Sequence, residues 1–320
     1  MSYFDCFNGD ADGICALTQL RLADPRESKL VTGVKRDINL LANVDASAGD
    51  LVTVLDVSLD KNRQGLERIL AAGAHVFYCD HHFAGDIPSH ENLDAVINTT
   101  SDVCTSLLIN KRLKNAFLDW AVVGTFGDNL KKSAHVLAKP LALKEADLAE
   151  LEALGIYLNY NGYGATVDDL YFAPADLYKL TVQHESAFGF INDDAESFNI
   201  LKNGYNGDML KAAATKPIYD TDSVAVFEFP NEPWARRVSG VYGNDLANSF
   251  PARAHAVITQ KADGAYQVSI RAPLNNKQGA DEVCRQFETG GGRTAAAGIN
   301  HLPEAELPRL IDVLNKRYVV

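Results

Sequence analysis

Short apolar runs alternate with amphipathic segments through residues 1–100. Each apolar run has the length of a strand, and the segments between the runs place leucine and isoleucine on one face, as helices do. Alternation of this kind is typical of an α/β fold with a mainly parallel sheet and helices on both of its faces. The predicted strands are Tyr3–Phe7, Leu30–Val34, Leu51–Leu55, His75–Cys79 and Ala95–Ile97, and the predicted helices are Ile14–Ala23 and Asn62–Ala72.

The rest of the chain divides by pattern into two further parts. Residues 102–215 are mostly helical in pattern, so we assign residues 1–202 to one α/β domain in which residues 130–202 form a helical extension. Residues 203–222 are rich in Asn, Gly, Asp and Thr and contain Pro217, which favours a linker. The remainder, 223–320, predicts a smaller α+β domain with strands at Val224–Phe229, His255–Thr259 and Tyr266–Arg271 and helices at Ala280–Phe287 and 304–318.

Composition narrows the class of protein and of partner. A chain of 320 residues with 47% hydrophobic and 22% charged residues is ordinary for a globular protein and can bury a substantial core. The net charge of −12 disfavours long duplex nucleic acid as a partner, because a face that grips a duplex is usually basic. The five cysteines are odd in number, and we see no leader sequence and no membrane-spanning run, so we expect a cytoplasmic protein.

Three of the predicted strands are followed directly by groups that bind metal ions. Parallel strands place their C-terminal ends along one edge of a sheet, which is where such folds build their sites. We therefore expect the carboxylate and imidazole groups of the three segments to meet. In chain order the segments are Asn8-Gly9-Asp10-Ala11-Asp12-Gly13, Asp56, and Asp80-His81-His82.

The chemistry of these groups suits divalent cations. Asp10 and Asp12 share a tight loop, and two carboxylates so close repel each other unless a cation lies between them. Oxygen ligands with an imidazole favour Mn²⁺ or Mg²⁺, with Fe²⁺, Co²⁺ or Zn²⁺ as further candidates. Asp56 would bridge two ions about 3.5–4 Å apart, an arrangement that activates water against a phosphoryl group. A structural alternative stays open, because Asp12 and Asp56 also suit helix N-caps.

Further candidates lie downstream. Asp128 ends an apolar, helix-like segment, and its spacing alone favours a turn residue over a ligand. Gly290-Gly291-Gly292 would expose backbone N–H groups that cradle an anion, with the guanidinium of Arg293 beside them. Arg271 ends a predicted strand and is a second candidate for binding a phosphate. A flexible glycine connection and a surface arginine are the plainer interpretations of these residues.

Taken together, the motifs resemble the DHH phosphoesterase superfamily with a C-terminal DHHA1-type domain. They stand in the superfamily's order and cover nearly the whole chain, least of all residues 130–220. The superfamily's branch of oligoribonucleases, nucleotide phosphatases and single-strand exonucleases is the most similar. The motifs are Asn8-Gly9-Asp10-Ala11-Asp12-Gly13, Asp56, Asp80-His81-His82, Gly124-Thr125-x-x-Asp128, Ser269-Ile270-Arg271 and Gly290-Gly291-Gly292-Arg293-x-Ala295-Ala296-x-Gly298.

The resemblance implies two divalent cations, with Mn²⁺ expected first and Mg²⁺, Co²⁺ or Fe²⁺ as alternatives. It makes Asp128 a ligand, which reverses its interpretation as a turn residue. Asn8 stands where the superfamily usually has His or Asp, and its neutral amide is the weaker ligand. The implied ligands are Asp10, Asp56 and weakly Asn8 for one ion, and Asp12, Asp56, His81 and Asp128 for the other.

The resemblance also implies catalytic and substrate-binding roles. Asp56 would be catalytic through the ions that it holds, Asp80 would orient an imidazole, and His82 would face the substrate phosphate or support the site. Arg293 stands where the glycine signature usually ends in His, and an arginine keeps its positive charge at every pH. The implied substrate-binding residues are His82, Arg271, Gly290, Gly291, Gly292 and Arg293.

These inferences predict a metal-dependent phosphodiesterase or phosphatase in which a metal-bridging hydroxide attacks phosphorus. The expected substrate is a small phosphoester: a short single-stranded oligonucleotide, a dinucleotide or a nucleoside phosphate. We expect no membrane partner, and a homodimer is compatible with the sequence. Two alternatives stay open. One is cleavage of phosphoanhydrides, as in an exopolyphosphatase, and the other is a nucleotide-binding sensor that has lost turnover through Asn8.

Overall fold

A five-stranded, all-parallel sheet organises the first part of the chain, as the alternation of apolar runs predicts. The structure is a computed structural model that describes residues 1–319. The strands are β1 (Tyr3–Phe7), β2 (Lys29–Val31), β3 (Leu51–Leu55), β4 (His75–Asp80) and β5 (Leu93–Ile97). Their order is β2-β1-β3-β4-β5, and every pair is parallel. The order reverses at β1, and such a reversal creates a crevice at the carboxyl ends of the strands.

Helices follow the strands and then continue without further strands to the end of the first unit, Met1–Gly204. Short 3₁₀ turns at Leu40–Asn43, Lys139–Leu141 and Val167–Asp169 interrupt the connections. The helices are α1 (Ala11–Ala23), α2 (Leu59–Ala71), α3 (Thr105–Arg112), α4 (Leu118–Gly127), α5 (Lys131–Ala138), α6 (Glu145–Asn161), α7 (Pro174–Thr181), α8 (Ala187–Asp193) and α9 (Ala195–Ala214).

Helices cover both faces of the sheet. Alternate residues of β1 point to opposite faces and therefore contact different helices. Phe4 and Cys6 join a buried apolar cluster that includes residues of α2. Asp5, between them, faces α1, where the Arg21 guanidinium donates to both of its carboxylate oxygens at 2.8 and 2.5 Å. The same guanidinium donates to the Thr53 hydroxyl on β3 at 2.9 Å. A buried ion pair therefore ties α1 to two adjacent strands.

Close packing of helices brings the end of α4 to the start of α1. A Cβ atom at Gly127 would overlap with the side chain of Ala11, so only glycine permits this approach. The five cysteines are buried and free. Within residues 1–319, no helix combines the length and apolar character needed to cross a bilayer.

The second unit, from Tyr205 onward, is a smaller α+β unit with its own six-stranded sheet. β7 and β8 pair in parallel, and the other neighbours pair antiparallel. The predicted fold class, a parallel α/β unit followed by a smaller α+β unit, is confirmed. The elements are β6 (Pro217–Asp220), β7 (Val224–Phe229), α10 (Pro233–Ser249), β8 (Ala254–Gln260), β9 (Tyr266–Arg271), α11 (Ala280–Cys284), β10 (Gly290–Gly292), β11 (Ala296–Leu302), a 3₁₀ turn (Glu304–Glu306) and α12 (Leu307–Tyr318).

Two segments differ from their predicted form. The expected linker at 203–222 instead continues α9 as far as Ala214 and then contributes β6. Gly204 suits this helix because a Cβ atom there would overlap with the Tyr171 ring. The expected glycine turn at 290–292 is instead an edge strand that pairs with β11. Some of its backbone N–H and C=O groups are therefore already hydrogen-bonded within the sheet.

Candidate metal centre

The carboxyl edge of the parallel sheet brings together side chains that follow β1, β3 and β4. The Nε2 atom of His81 lies 3.3 Å from a carboxylate oxygen of Asp56 and 3.9 Å from one of Asp12. A carboxylate oxygen of Asp128, at the end of α4, lies 3.8 Å from the same nitrogen. Ligand atoms of Asp12, His81 and Asp128 fall within 4.8 Å of one another. We call Asp12, Asp56, His81 and Asp128 the His81 ligand set.

Asp12 is held in place by the start of helix α3. Its two carboxylate oxygens accept hydrogen bonds from the backbone N–H groups of Thr105 and Ser106, each at 2.7 Å. The Ser106 hydroxyl also donates to the Asp12 carbonyl at 2.9 Å. A helix N-terminus favours a negative charge, so α3 fixes the orientation of a buried carboxylate far from it in sequence.

Asp10, and not Asp12, caps helix α1. The Oδ1 atom of Asp10 accepts hydrogen bonds from the backbone N–H groups of Asp12 and Gly13, at 3.0 and 3.1 Å. Its Oδ2 atom lies 2.6 Å from the Nζ atom of Lys35. Burial favours the neutral acid, but the Lys35 charge and these hydrogen bonds outweigh it and hold the pKa of Asp10 below its usual value.

Lys35 is a site residue that the interpretation of the sequence missed. Its Nζ atom also donates to the Asn159 side-chain oxygen at 2.8 Å and lies 5.2 Å from the Tyr163 ring centroid. Burial alone would lower the pKa of the ammonium, but Asp10 more than offsets this, so the pKa is raised. A signal was present, since Lys35 directly follows the predicted strand Leu30–Val34 and so belongs to the same edge.

Asp56 has an uncommon backbone conformation. Its φ of 60° lies in the left-handed region, which is uncommon for residues other than glycine, although aspartate and asparagine adopt it more often than most. The Thr105 hydroxyl donates to its carboxylate at 3.2 Å. Burial, and then the charges of Asp12 and Asp10, raise the pKa of Asp56 well above its usual value. A neighbouring cation would lower this pKa and stabilise the ionised carboxylate.

The two histidines of the third motif have different surroundings. The Nδ1 atom of His82 lies 2.8 Å from Oδ1 of the buried Asp80, so the imidazole that contacts Asp80 is that of His82. The His82 side chain is 46% exposed, whereas that of His81 is 16% exposed. Partial burial would lower the pKa of His82, but the hydrogen bond to Asp80 and the Asp80 charge raise it overall.

Asp128 occupies the C-cap position of α4, so it is a turn residue as well as a neighbour of His81. Asn129 follows with a φ of 62°, and its N–H bonds to the Phe126 carbonyl at 2.9 Å while the Leu130 N–H bonds to the Thr125 carbonyl at 3.1 Å. This is the Schellman arrangement. A carboxylate is unfavourable at a helix C-terminus. Burial, and then the charge of Asp12, raise the pKa of Asp128 to about 8.

The His81 ligand set fits a divalent cation. It offers three carboxylates and one imidazole, the donor types that Mn²⁺ and Mg²⁺ accept. The raised pKa values of Asp56 and Asp128 reflect burial and then the charges of neighbouring acids, both of which a cation would offset. His82 supplies a further ligand atom within 4.8 Å of those of Asp56 and His81.

The ligands expected for the other ion fit less well. Asp10 is already paired with Lys35. The Asn8 side-chain oxygen accepts a hydrogen bond from the Asp10 N–H at 3.2 Å, and its Nδ2 donates to the Lys35 carbonyl at 3.3 Å. Both ends of this amide therefore hold the loop together.

The candidate anion ligands lie in the second unit. Arg271 donates hydrogen bonds to the side chains of Asn244 and Ser269, at 2.6 and 3.0 Å. Its backbone pairs with Ala296 across β9 and β11. Arg293 and Ala296 close a tight turn through mutual backbone hydrogen bonds, and the Arg293 side chain is exposed. The register thus places Arg271 beside the turn that begins at Arg293.

Comparison with known proteins gives matches among solved structures alone: no protein-family model and no curated protein matches the chain. It is similar to exonuclease RecJ bound to manganese, with 17% identity and a TM-score of 0.65 over 99% of this chain and 89% of that one. RecJ in complex with Mn²⁺ from Thermus thermophilus gives 17% and 0.59, over 99% of this chain and 52% of that one. The pGpG-specific phosphodiesterase PggH from Vibrio cholerae gives 13% and 0.60, over 99% and 98%. The chain therefore has the fold of RecJ and PggH over nearly its whole length.

Proposed function

We propose that this protein is a metal-dependent phosphoesterase of the DHH type that hydrolyses a small phosphoester. One observation carries the proposal: three buried or half-buried carboxylates and an imidazole, delivered by separate elements, meet at the carboxyl edge of a parallel sheet. The manganese bound by the similar RecJ structures supports Mn²⁺ as the first candidate. The DHHA1-type identity of the second unit belongs to the same proposal.

The residues of the candidate site would have separate roles in hydrolysis. A divalent cation on the His81 ligand set would lower the pKa of a water and offset negative charge on the phosphoryl oxygens. Asp12 is oriented by α3, so its carboxylate needs little rearrangement to act as a ligand. His82 is exposed, is held by Asp80, and has a raised pKa. It would therefore present a positive imidazolium to the substrate phosphate or donate a proton to the leaving oxygen.

The substrate class follows from charge and from the similar proteins. With a net charge of −12, the chain is poorly suited to attract a long polyanion. RecJ is an exonuclease and PggH is a pGpG-specific phosphodiesterase, so both support a phosphodiester as the substrate, and PggH supports a short one. Arg271 and Arg293 would bind a phosphate of that substrate. Phosphoanhydride cleavage and nucleotide sensing without turnover are the alternatives that the test must separate.

The test measures hydrolysis with and without metal. Metal-free protein is supplied with Mn²⁺ and assayed on bis(p-nitrophenyl) phosphate, then on dinucleotides, short oligonucleotides and polyphosphate. We expect Mn²⁺-dependent cleavage of the diesters. Cleavage of polyphosphate alone would favour the exopolyphosphatase alternative, and tight nucleotide binding without any cleavage would favour the sensor.

Asp56→Asn is the matching variant, because asparagine tolerates the left-handed backbone at this position. Losing even a residue that only supports a metal ligand costs about 10–100-fold in metal affinity or activity, and we expect a loss of turnover at least that large when a ligand itself is removed. Asp94→Asn is the control, since Asp94 is exposed on β5 and pairs only at the surface with Arg112. Full activity of Asp56→Asn with Mn²⁺ would contradict the proposed mechanism.

A further inference from the structure

Lys35 is built into the site and is not a surface lysine that happens to point inward. Its backbone N–H donates to the Gly162 carbonyl at 2.9 Å, and its carbonyl accepts from the Asn8 amide. Its ammonium is held between Asp10 and Asn159. Backbone and side chain are thus both fixed, by residues of two separate segments: the loop after β1 and the C-terminal end of α6.

The loop that carries Asp10 is shaped to admit this lysine. A Cβ atom at Gly9 would overlap with the Gly33 carbonyl oxygen, so the two loops touch through their backbones. Asn8 then bridges them with its amide, accepting from Asp10 and donating to Lys35. A carboxylate at position 8 would have no proton to donate to the Lys35 carbonyl. The asparagine therefore suits a site that contains the lysine better than one that binds a metal at position 8.

We propose that the ammonium of Lys35 takes the place of the ion expected at Asp10, so that the chain works with one divalent cation, on the His81 ligand set. The inference rests on the proposed function, and it replaces the expectation of two ions. A cation at Asp10 would have to displace the ammonium or stand beside a like charge. The lysine instead supplies a fixed positive charge at that side of the site, where the other phosphoryl oxygens of a substrate would lie.

The experiment counts bound ions and does not depend on activity. Metal-free protein is titrated with Mn²⁺, bound metal is measured after dialysis, and the electron paramagnetic resonance spectrum is recorded. We expect one Mn²⁺ per chain, with the sharp hyperfine pattern of an isolated ion. The double variant Lys35→Met with Asn8→Asp removes the ammonium and restores a carboxylate. It should bind two ions, whose proximity at about 3.5–4 Å would broaden that pattern.

Three further variants make the result specific. Asn8→Asp alone should still bind one ion, because Lys35 remains paired with Asp10. Lys35→Arg should also bind one, because the positive charge is kept. Lys277→Met, at an exposed position of the second unit, is the matched control for loss of a lysine. Circular dichroism melting establishes that each variant is folded.

The possible counts separate the two proposals. Two ions on the unaltered chain would overturn the role of Lys35 and leave a metal-dependent phosphoesterase standing. A second ion gained by Asn8→Asp alone would overturn it as well, because the lysine would then not be the obstacle. A folded double variant that still binds one ion would also overturn the role of Lys35. No Mn²⁺ on the unaltered chain would instead refute the metal centre itself.

Discussion

The candidate metal centre holds more carboxyl groups than the neighbouring cationic side chains can neutralise. Lys35 is paired with Asp10, while Asp56 and Asp128 face other acids and have raised pKa values. Both Asp56 and Asp128 are more acidic in the unfolded chain than in the folded one. Folding without metal therefore depends on keeping protons on these two acids. The free energy of unfolding of the metal-free protein should thus change with pH in a definite direction.

Asp128 sets a pH window for this effect. Its pKa rises from 3.8 to about 8 on folding, so between these values the unfolded chain loses a proton that the folded chain keeps. The free energy of unfolding of the metal-free protein should fall as pH rises through this window and level off above it. Mn²⁺ at a hundredfold excess over its Kd should restore about 2.7 kcal/mol.

Urea unfolding at a series of pH values, with and without Mn²⁺, measures this dependence. Asp128→Asn should make the slope of the metal-free protein shallower, because one of the two acids with a raised pKa is gone. An unchanged slope in that variant would show that Asp128 is not the source.

At the scale of elements, the buried pair of Asp5 and Arg21 joins α1 to the sheet. Arg21→Met should lower the free energy of unfolding by about 3–5 kcal/mol, because it leaves a buried carboxylate without a partner. Arg26→Met is the control, since Arg26 and Asp24 form a pair near the surface that is worth about 1 kcal/mol or less. Equal losses for the two variants in urea unfolding would refute the special role of the buried pair.

The secondary-structure elements also show which features of the fold and the site could be predicted from the sequence. Strand ends were predictable because apolar runs of strand length stop abruptly at polar residues, as at Leu55 before Asp56. Lys35 follows a run of the same kind, but a single lysine after a strand looks like ordinary surface, and its partner Asn159 lies more than a hundred residues away. The docking of Asp12 on α3 is equally a tertiary fact, which no local pattern contains.

Helix α9 illustrates the opposite error. Asn203, Gly204 and Gly207 have low helix propensity, so composition predicts a linker there. Packing overrides propensity, because Leu201 and Ala212 of the same helix are fully buried. Local composition is thus least dependable where tertiary contacts supply most of the stability of a helix.

At the scale of the whole molecule, we propose that two arginines of the second unit, Arg271 and Arg293, bind substrate. Arg293→Ala should raise KM about tenfold or more and change kcat little, since a charge-assisted hydrogen bond to a phosphate contributes about 1.5–3 kcal/mol. Arg285→Ala is the control, because Arg285 is exposed on the same unit and pairs with Asp281. Steady-state kinetics on a dinucleotide would distinguish them, and an unchanged KM for Arg293→Ala would remove this residue from the binding site.

The left-handed backbone at Asp56 has a consequence for engineering. Glycine adopts that conformation without strain, whereas aspartate does so less readily, and the buried, crowded carboxyl group of Asp56 adds a further cost. Selection for melting temperature alone would therefore favour glycine at this position and would erase the centre while improving the protein by that measure. A screen for variants with a higher melting temperature has to measure hydrolysis as well, because at Asp56 the two properties select different residues.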